Sequence, residues 1–177
     1  NKDATLQLYS DRLWVIQNDG DGSLGTADTL HIYDNTAGAS RIAIDTSGNV
    51  GLGTTSPSVK LEVAGAISGS ALVSKQKHGT ITGANNVDLS TSANHNLTLS
   101  GNVTLTPTNF SGRRGQSGII TLIQDSSGGH SITLNSLFKT PRGDSIAFDT
   151  TADGISLMSY YVIDASNVAV NYLGPFS

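Results

Sequence analysis

The sequence predicts an all-β fold, strand after strand in the first half and a β-sandwich or jelly roll in the second. Three observations carry that expectation. Charged residues make up only 14% of the chain, and Glu62 is the only glutamate, so the residues that favour helices are scarce while Thr, Val and Ile favour strands. Short apolar alternations recur along the whole length. Clusters of Gly, Asn, Asp, Ser and Pro separate them at close intervals.

In chain order, alternating apolar residues mark strands at Thr5 to Tyr9, Leu13 to Gln17, Leu30 to Tyr33, Arg41 to Asp45 and Val59 to Val63, divided by "NDGDGS", "DNTAGAS", "DTSGN" and "GTTSPS". "LQLYS" and "LHIYD" hint weakly at an internal repeat. The alternation predicts that Ile42 and Ile44 bury one face and leave Arg41, Ala43 and Asp45 on the other. In "NVGLG", Gly51 and Gly53 leave one side bare, so another backbone, expected to be a second chain's, can approach closely. These strands are short and their large apolar residues few. With no cysteine to staple it, a unit this thin calls for another copy of itself.

Residues 66–78 read as a connector with room for a helical turn, between a β-rich shaft or neck over 1–65 and a head over 79–177. "LTLSGNVTLT" predicts two strands around a tight turn at Gly101-Asn102. "GIITLIQDSSGGHSITL" places a strand on each side of a glycine-rich turn. "ISLMSYYVID" is apolar on both faces, Leu157, Tyr161 and Ile163 against Met158, Tyr160 and Val162, which suits a strand covered on both sides. Short antiparallel strands at this spacing suggest the sandwich.

Chemistry-bearing motifs are sparse. "QNDGDGSLGTAD" matches a calcium loop only in part: Gln17 stands where Asp is expected, Asp28 where a bidentate Glu is expected, and strands flank it where helices should. "GDS" at Gly143 to Ser145 lacks the strand-to-helix setting of an esterase nucleophile. His31, His78, His95 and His130 share no ligand spacing, and only a metal on a threefold axis would need one histidine per chain. Glu62, Asp144, Asp149 and Asp153 are the carboxylates to weigh for glycoside hydrolysis, with turn roles as the alternative. No catalytic, cofactor-binding or resident metal site is expected. A net charge of −4 argues against a nucleic-acid partner, and no apolar run reaches the length of a membrane span. No signal peptide is expected at the start. Cations gather in the second half beside aromatic rings, in "NFSGRRGQSG" and "FKTPRGDS". Phe110, Arg113, Arg114, Lys139 and Arg142 are therefore the candidate receptor contacts, suited to an anionic glycan or a lipopolysaccharide phosphate.

The stretch "RIAIDTSGNVGLGTTSPSVKLEVAGAI", Arg41 to Ile67, resembles a segment of bacteriophage tail fibres and tailspikes, with Leu52 where isoleucine is usual. The second half resembles their β modules more loosely. The resemblance implies a homotrimeric virion tail-fibre protein with an intertwined shaft. It implies non-enzymatic attachment to the host-cell surface through the C-terminal head, and other virion tail proteins as further partners. Two rivals follow from the same resemblance: a purely structural fibre or spacer, and a glycan depolymerase.

Overall fold

The computed structural model describes residues 4–24, 27–69 and 73–176. The chain divides into two compact units, Asn1–Ala71 and Leu72–Ser177. Both are built from strands. The one helical element among the described residues is a single 3-10 turn at Pro141–Gly143, and no helix there is long and apolar enough to cross a membrane. The expected connector includes residues 70–72, which lie outside the described residues. Its last three residues, Gln76 to His78, already belong to a strand.

The first unit is one six-stranded sheet in sequence order: β1 (Thr5–Leu8), β2 (Trp14–Asp19), β3 (Thr29–Asp34), β4 (Ala39–Ile44), β5 (Val50–Leu52) and β6 (Leu61–Val63). Neighbours are antiparallel up to β5, and β6 returns parallel to it. The register aligns Leu6, Ile16, Ile32, Ile42, Leu52 and Val63 in a single row across all six strands. Leu30, Ile44, Val50 and Leu61 form a second row on the same face. That face is open: Leu6, Leu30, Ile44 and Leu61 are all exposed.

The opposite face is the buried one. Its row His31, Ala43, Gly51 is closed to solvent. Expectation and structure are therefore reversed at β4: Ala43 is inside and Ile44 outside. The reason lies in the turn after β5. A Cβ on Gly51 would stand 2.3 Å from the Thr54 carbonyl oxygen, so the backbone that approaches this glycine is the chain's own, folded back beside Ala43.

A polar cluster closes the end of β3. Asp34, at the end of β3 and almost wholly buried, accepts from Arg12 Nε at 3.0 Å, Arg41 Nη2 at 2.9 Å and the Ala37 N–H at 3.1 Å. The bonds from Arg41 and then Arg12 hold its carboxyl at a pKa of about 2, against burial that works the other way. Arg12 also lies over the Trp14 ring, 5.9 Å from its centroid.

The second unit holds β7 (Gln76–Asp88), β8 (Asn94–Thr108), β9 (Ser117–Gln124), β10 (Ile132–Leu134), β11 (Phe138–Lys139), β12 (Ile155–Val162) and β13 (Val168–Phe176). They join in one seven-stranded sheet, in the order β10-β8-β9-β12-β13-β11 with β7 also on β8, in a sandwich-like arrangement around one core. The ladders differ from the antiparallel expectation. β7, β8 and β9 run parallel, with Gln76, Asn94 and Ile119 abreast. β10 continues parallel to the far half of β8, and only β12 and β13 join antiparallel.

The hairpin expected at Gly101-Asn102 is absent: β8 continues through it, with an irregularity where its register against β7 shifts. Gly101 leaves room there for Thr82 of β7, whose hydroxyl stands 2.3 Å from where a Cβ would be. Asn102 does not turn the chain either; its Oδ1 accepts the Ser131 N–H at 2.8 Å and so fixes where β10 begins. The core is the inward row of β8, Leu97, Leu99, Val103 and Leu105, with Ile120, Leu122, Met158, Val162 and Val168. The strand expected to be covered on both sides is covered on one. Met158, Tyr160 and Val162 are buried, whereas Tyr161 and Ile163 are exposed.

Candidate functional site

The five candidate receptor residues fall at two places in the second unit. The first is the loop between β8 and β9. Phe110 is only 6% exposed and belongs to the core, so it anchors the loop and offers no ring to a ligand. From that anchor the chain turns tightly: the Arg113 N–H donates to the Phe110 carbonyl, and the Gln116 N–H to that of Arg113. Gly115 and Gln116 bond to Val162 at the end of β12. Gln116 Nε2 donates to the Leu89 carbonyl at 2.8 Å and to Tyr160 Oη at 3.0 Å, and Tyr160 Oη donates to the Ala93 carbonyl at 3.0 Å. Burial raises the Tyr160 pKa, which keeps that hydroxyl a donor. Gly118 completes the seat, because a Cβ there would meet the Ala93 carbonyl oxygen at 1.7 Å.

Arg113 and Arg114 are exposed on this fixed loop, but they do not form a bare cationic patch. Asp88 titrates low, chiefly through bonds from Ser90 and Asn109, with Arg113 adding its field. Asp164 titrates low through Asn167 and Ser166, with Arg114 adding its own. Each guanidinium therefore has a carboxylate within its electrostatic reach, which weakens the case for an anion there.

The second place is a cleft of about 570 Å³ between β10 and the segment from β11 to Phe148, within the usual range for small-molecule sites. Phe138, Ile146 and Phe148 give it an apolar floor, and Phe148 is set edge-on against Tyr172 with centroids 5.4 Å apart. Asn135, Ser136, Lys139, Thr140, Asp144 and Ser145 supply the rim. Lys139 lines the cleft and donates its ammonium to the Ser136 carbonyl. Arg142 lies in the turn of the rim without lining the cleft. It holds a left-handed φ of 58°, costly for a residue with a side chain.

The remaining motifs have structural duties. Asp19 is buried and accepts from Ser23 Oγ and the Leu24 N–H, and Asp21 accepts from the Ser23 N–H. Residues 25–26 of the suspected calcium loop lie outside the described residues. No group of three or more potential ligands gathers among the residues that are described. His31 is buried with Nδ1 2.7 Å from Ser40 Oγ, His95 with Nε2 3.2 Å from the Ser92 carbonyl, and His130 pairs with Asp125 at 3.0 Å. Glu62, in the first unit, accepts from Ser58, and Asp149 accepts from Thr151. Ser145 lines a cleft that contains no histidine and only one carboxylate, that of Asp144.

Comparison with known families gives a decisive finding. Residues 80–163, nearly all of the second unit's ladder from β7 to β12, match the family described as "Putative phage tail fibre C-terminal domain". The match supports a phage tail fibre family for this unit, and with it a tail fibre component associated with the virion. No curated protein matches it. For this tail fibre domain, sequence reasoning found the Lys139 side of the cleft through its cations. It weighed Asp144 only as a hydrolytic carboxylate, and it missed Asn135 and Phe148, which carry no spacing signal and meet Asp144 only in the folded cleft.

Proposed function

We propose that this tail fibre chain is an adhesive, non-enzymatic homotrimer that binds a polysaccharide or lipopolysaccharide of the host-cell surface through its C-terminal unit. The observation that carries the reading is the cleft beside β10, which joins an aromatic floor to a rim of hydroxyl, amide and charged groups around a single carboxylate. Glycoside hydrolysis uses two carboxylates flanking the bond, so this cleft suits holding a glycan better than cutting it. The trimer is supported by the first unit's open apolar face, two rows of leucine, isoleucine and valine that copies of the chain would cover. Three heads per fibre would then turn weak contacts into avidity. Other virion tail proteins are the further partners of this reading.

The test is adsorption. Purified chain should bind cells of the host and compete with infection, and leave purified surface polysaccharide at its original chain length. Protein that neither adsorbs nor competes would favour a purely architectural fibre, and shortened polysaccharide would favour the depolymerase.

A further inference from the structure

We infer that the cleft between β10 and the Lys139–Phe148 segment is a subsite for an uncharged hexose unit, a claim that rests on the glycan-binding reading and narrows it. Charge decides the class of sugar. Lys139, the one cation lining the cleft, gives its ammonium to the Ser136 carbonyl. The one carboxylate, Asp144, takes no donor from any described residue and is exposed at the rim. The unpartnered Asp144 carboxylate disfavours an acidic sugar or phosphate beside it. A neutral hexose offers it hydroxyl donors on adjacent carbons, and two carboxylate oxygens accept such a pair.

Asp144 shares this with Asp153 but differs from the other turn aspartates of the same unit. Asp88, Asp125, Asp149 and Asp164 all spend their carboxylates on nearby N–H, hydroxyl or amide groups of their own turns. Asn135 adds to the site: its Oδ1 accepts the Leu137 N–H, while its Nδ2 has no partner among the described residues and remains a donor for a sugar oxygen. Phe148, steadied by Tyr172, offers apolar surface for the sugar's C–H face.

The rim is also set in advance. Pro141 restricts the turn, the Gly143 N–H donates to Thr140 at 3.1 Å, and the Asp144 N–H donates to Pro141 at 3.0 Å. The left-handed Arg142 is held within it. A rim already ordered loses little entropy when a ligand arrives.

Saturation-transfer NMR on the full chain tests this with glucose, galactose, mannose and N-acetylglucosamine as neutral probes and galacturonate as the acidic one. At least one neutral probe should receive saturation and galacturonate should not. Asp144→Ala should weaken binding of that probe by about tenfold or more, since it removes the acceptors of two charge-assisted hydrogen bonds. Asp144→Asn, which keeps one acceptor oxygen, should lose less. Arg113→Ala with Arg114→Ala should bind as the parent does. Circular dichroism of each variant should match the parent. No transfer to any neutral probe, transfer unchanged in Asp144→Ala, or a preference for galacturonate would each overturn the subsite. Should the subsite fail while the chain still adsorbs to host cells, the wider reading stands on another surface; loss of both sinks the two together.

Discussion

The two units place the same kinds of residue on opposite sides. In the N-terminal sheet the aligned leucines, isoleucines and valines lie on the open face, and the buried face carries His31, Ala43 and Gly51. In the C-terminal unit the inward rows of β8, β9 and β12 close on each other, and the apolar side chains are inside. Alternation alone states that a strand has two faces. Which one is buried depends on what stands opposite: a second layer of the same chain in one unit, the unit's own turns in the other. The C-terminal unit thus has the means of its own stability, whereas the N-terminal sheet keeps its largest apolar surface free.

That contrast can be broken from either side. The largest effect is expected in the C-terminal core, where Leu105→Ala empties a fully buried site. It should cost about 2–5 kcal/mol in denaturant unfolding followed by circular dichroism, while the fluorescence of Trp14, which belongs to the other unit, keeps its own transition. Gln124→Ala comes next. Its amide donates to the His130 and Asp149 carbonyls and accepts the His130 N–H, all stranded by the change at a cost of about 2–3 kcal/mol.

On the N-terminal side, Ile32→Lys with Ile42→Lys charges the centre of the open row. Light scattering should find the parent at the mass of three chains and the variant at the mass of one, with the variant's Trp14 signal still that of a folded sheet. A parent already monomeric would remove the assembly argument. The smallest effect is acid sensitivity. Asp34 is held at about 2 from 3.8, so its stabilisation is complete above the higher value and drains as pH falls toward the lower one. Trp14 fluorescence should show a step in that window, and Asp34→Asn should flatten it while lowering stability at neutral pH.

Much of the strand content was legible because the N-terminal strands carry their alternation locally. Leu30 to Tyr33 and Arg41 to Asp45, read from pattern, sit within a residue or two of β3 and β4. The sense of the ladders was not. β7 has only Ile81 and Val87 buried along its length, too few to show a period, and it is a strand because β8 lies beside it. Gly101-Asn102 carries turn residues for reasons that are not local, one making room for Thr82 and the other reaching Ser131. The candidate site divides in the same way. Cations are visible in a sequence, so Lys139 and the two arginines were found. Asp144 was visible as a carboxylate, but its place at the cleft rim depends on neighbours that only the fold supplies.

The parallel run of β7 beside β8 has a mechanical consequence. Their pairing extends from Gln76 opposite Asn94 to Asp88 opposite Thr108, broken only where the register shifts between Ile81 and Gly83. A pull on the chain at Gln76, directed along the strand, loads these bonds side by side, so that they share the strain instead of opening one after another like a zipper. How long such a joint survives tension is set by its rate of rupture and not by its equilibrium stability. On the adhesive function proposed above, β7, a strand with only Ile81 and Val87 buried, would then be the one that bears the weight.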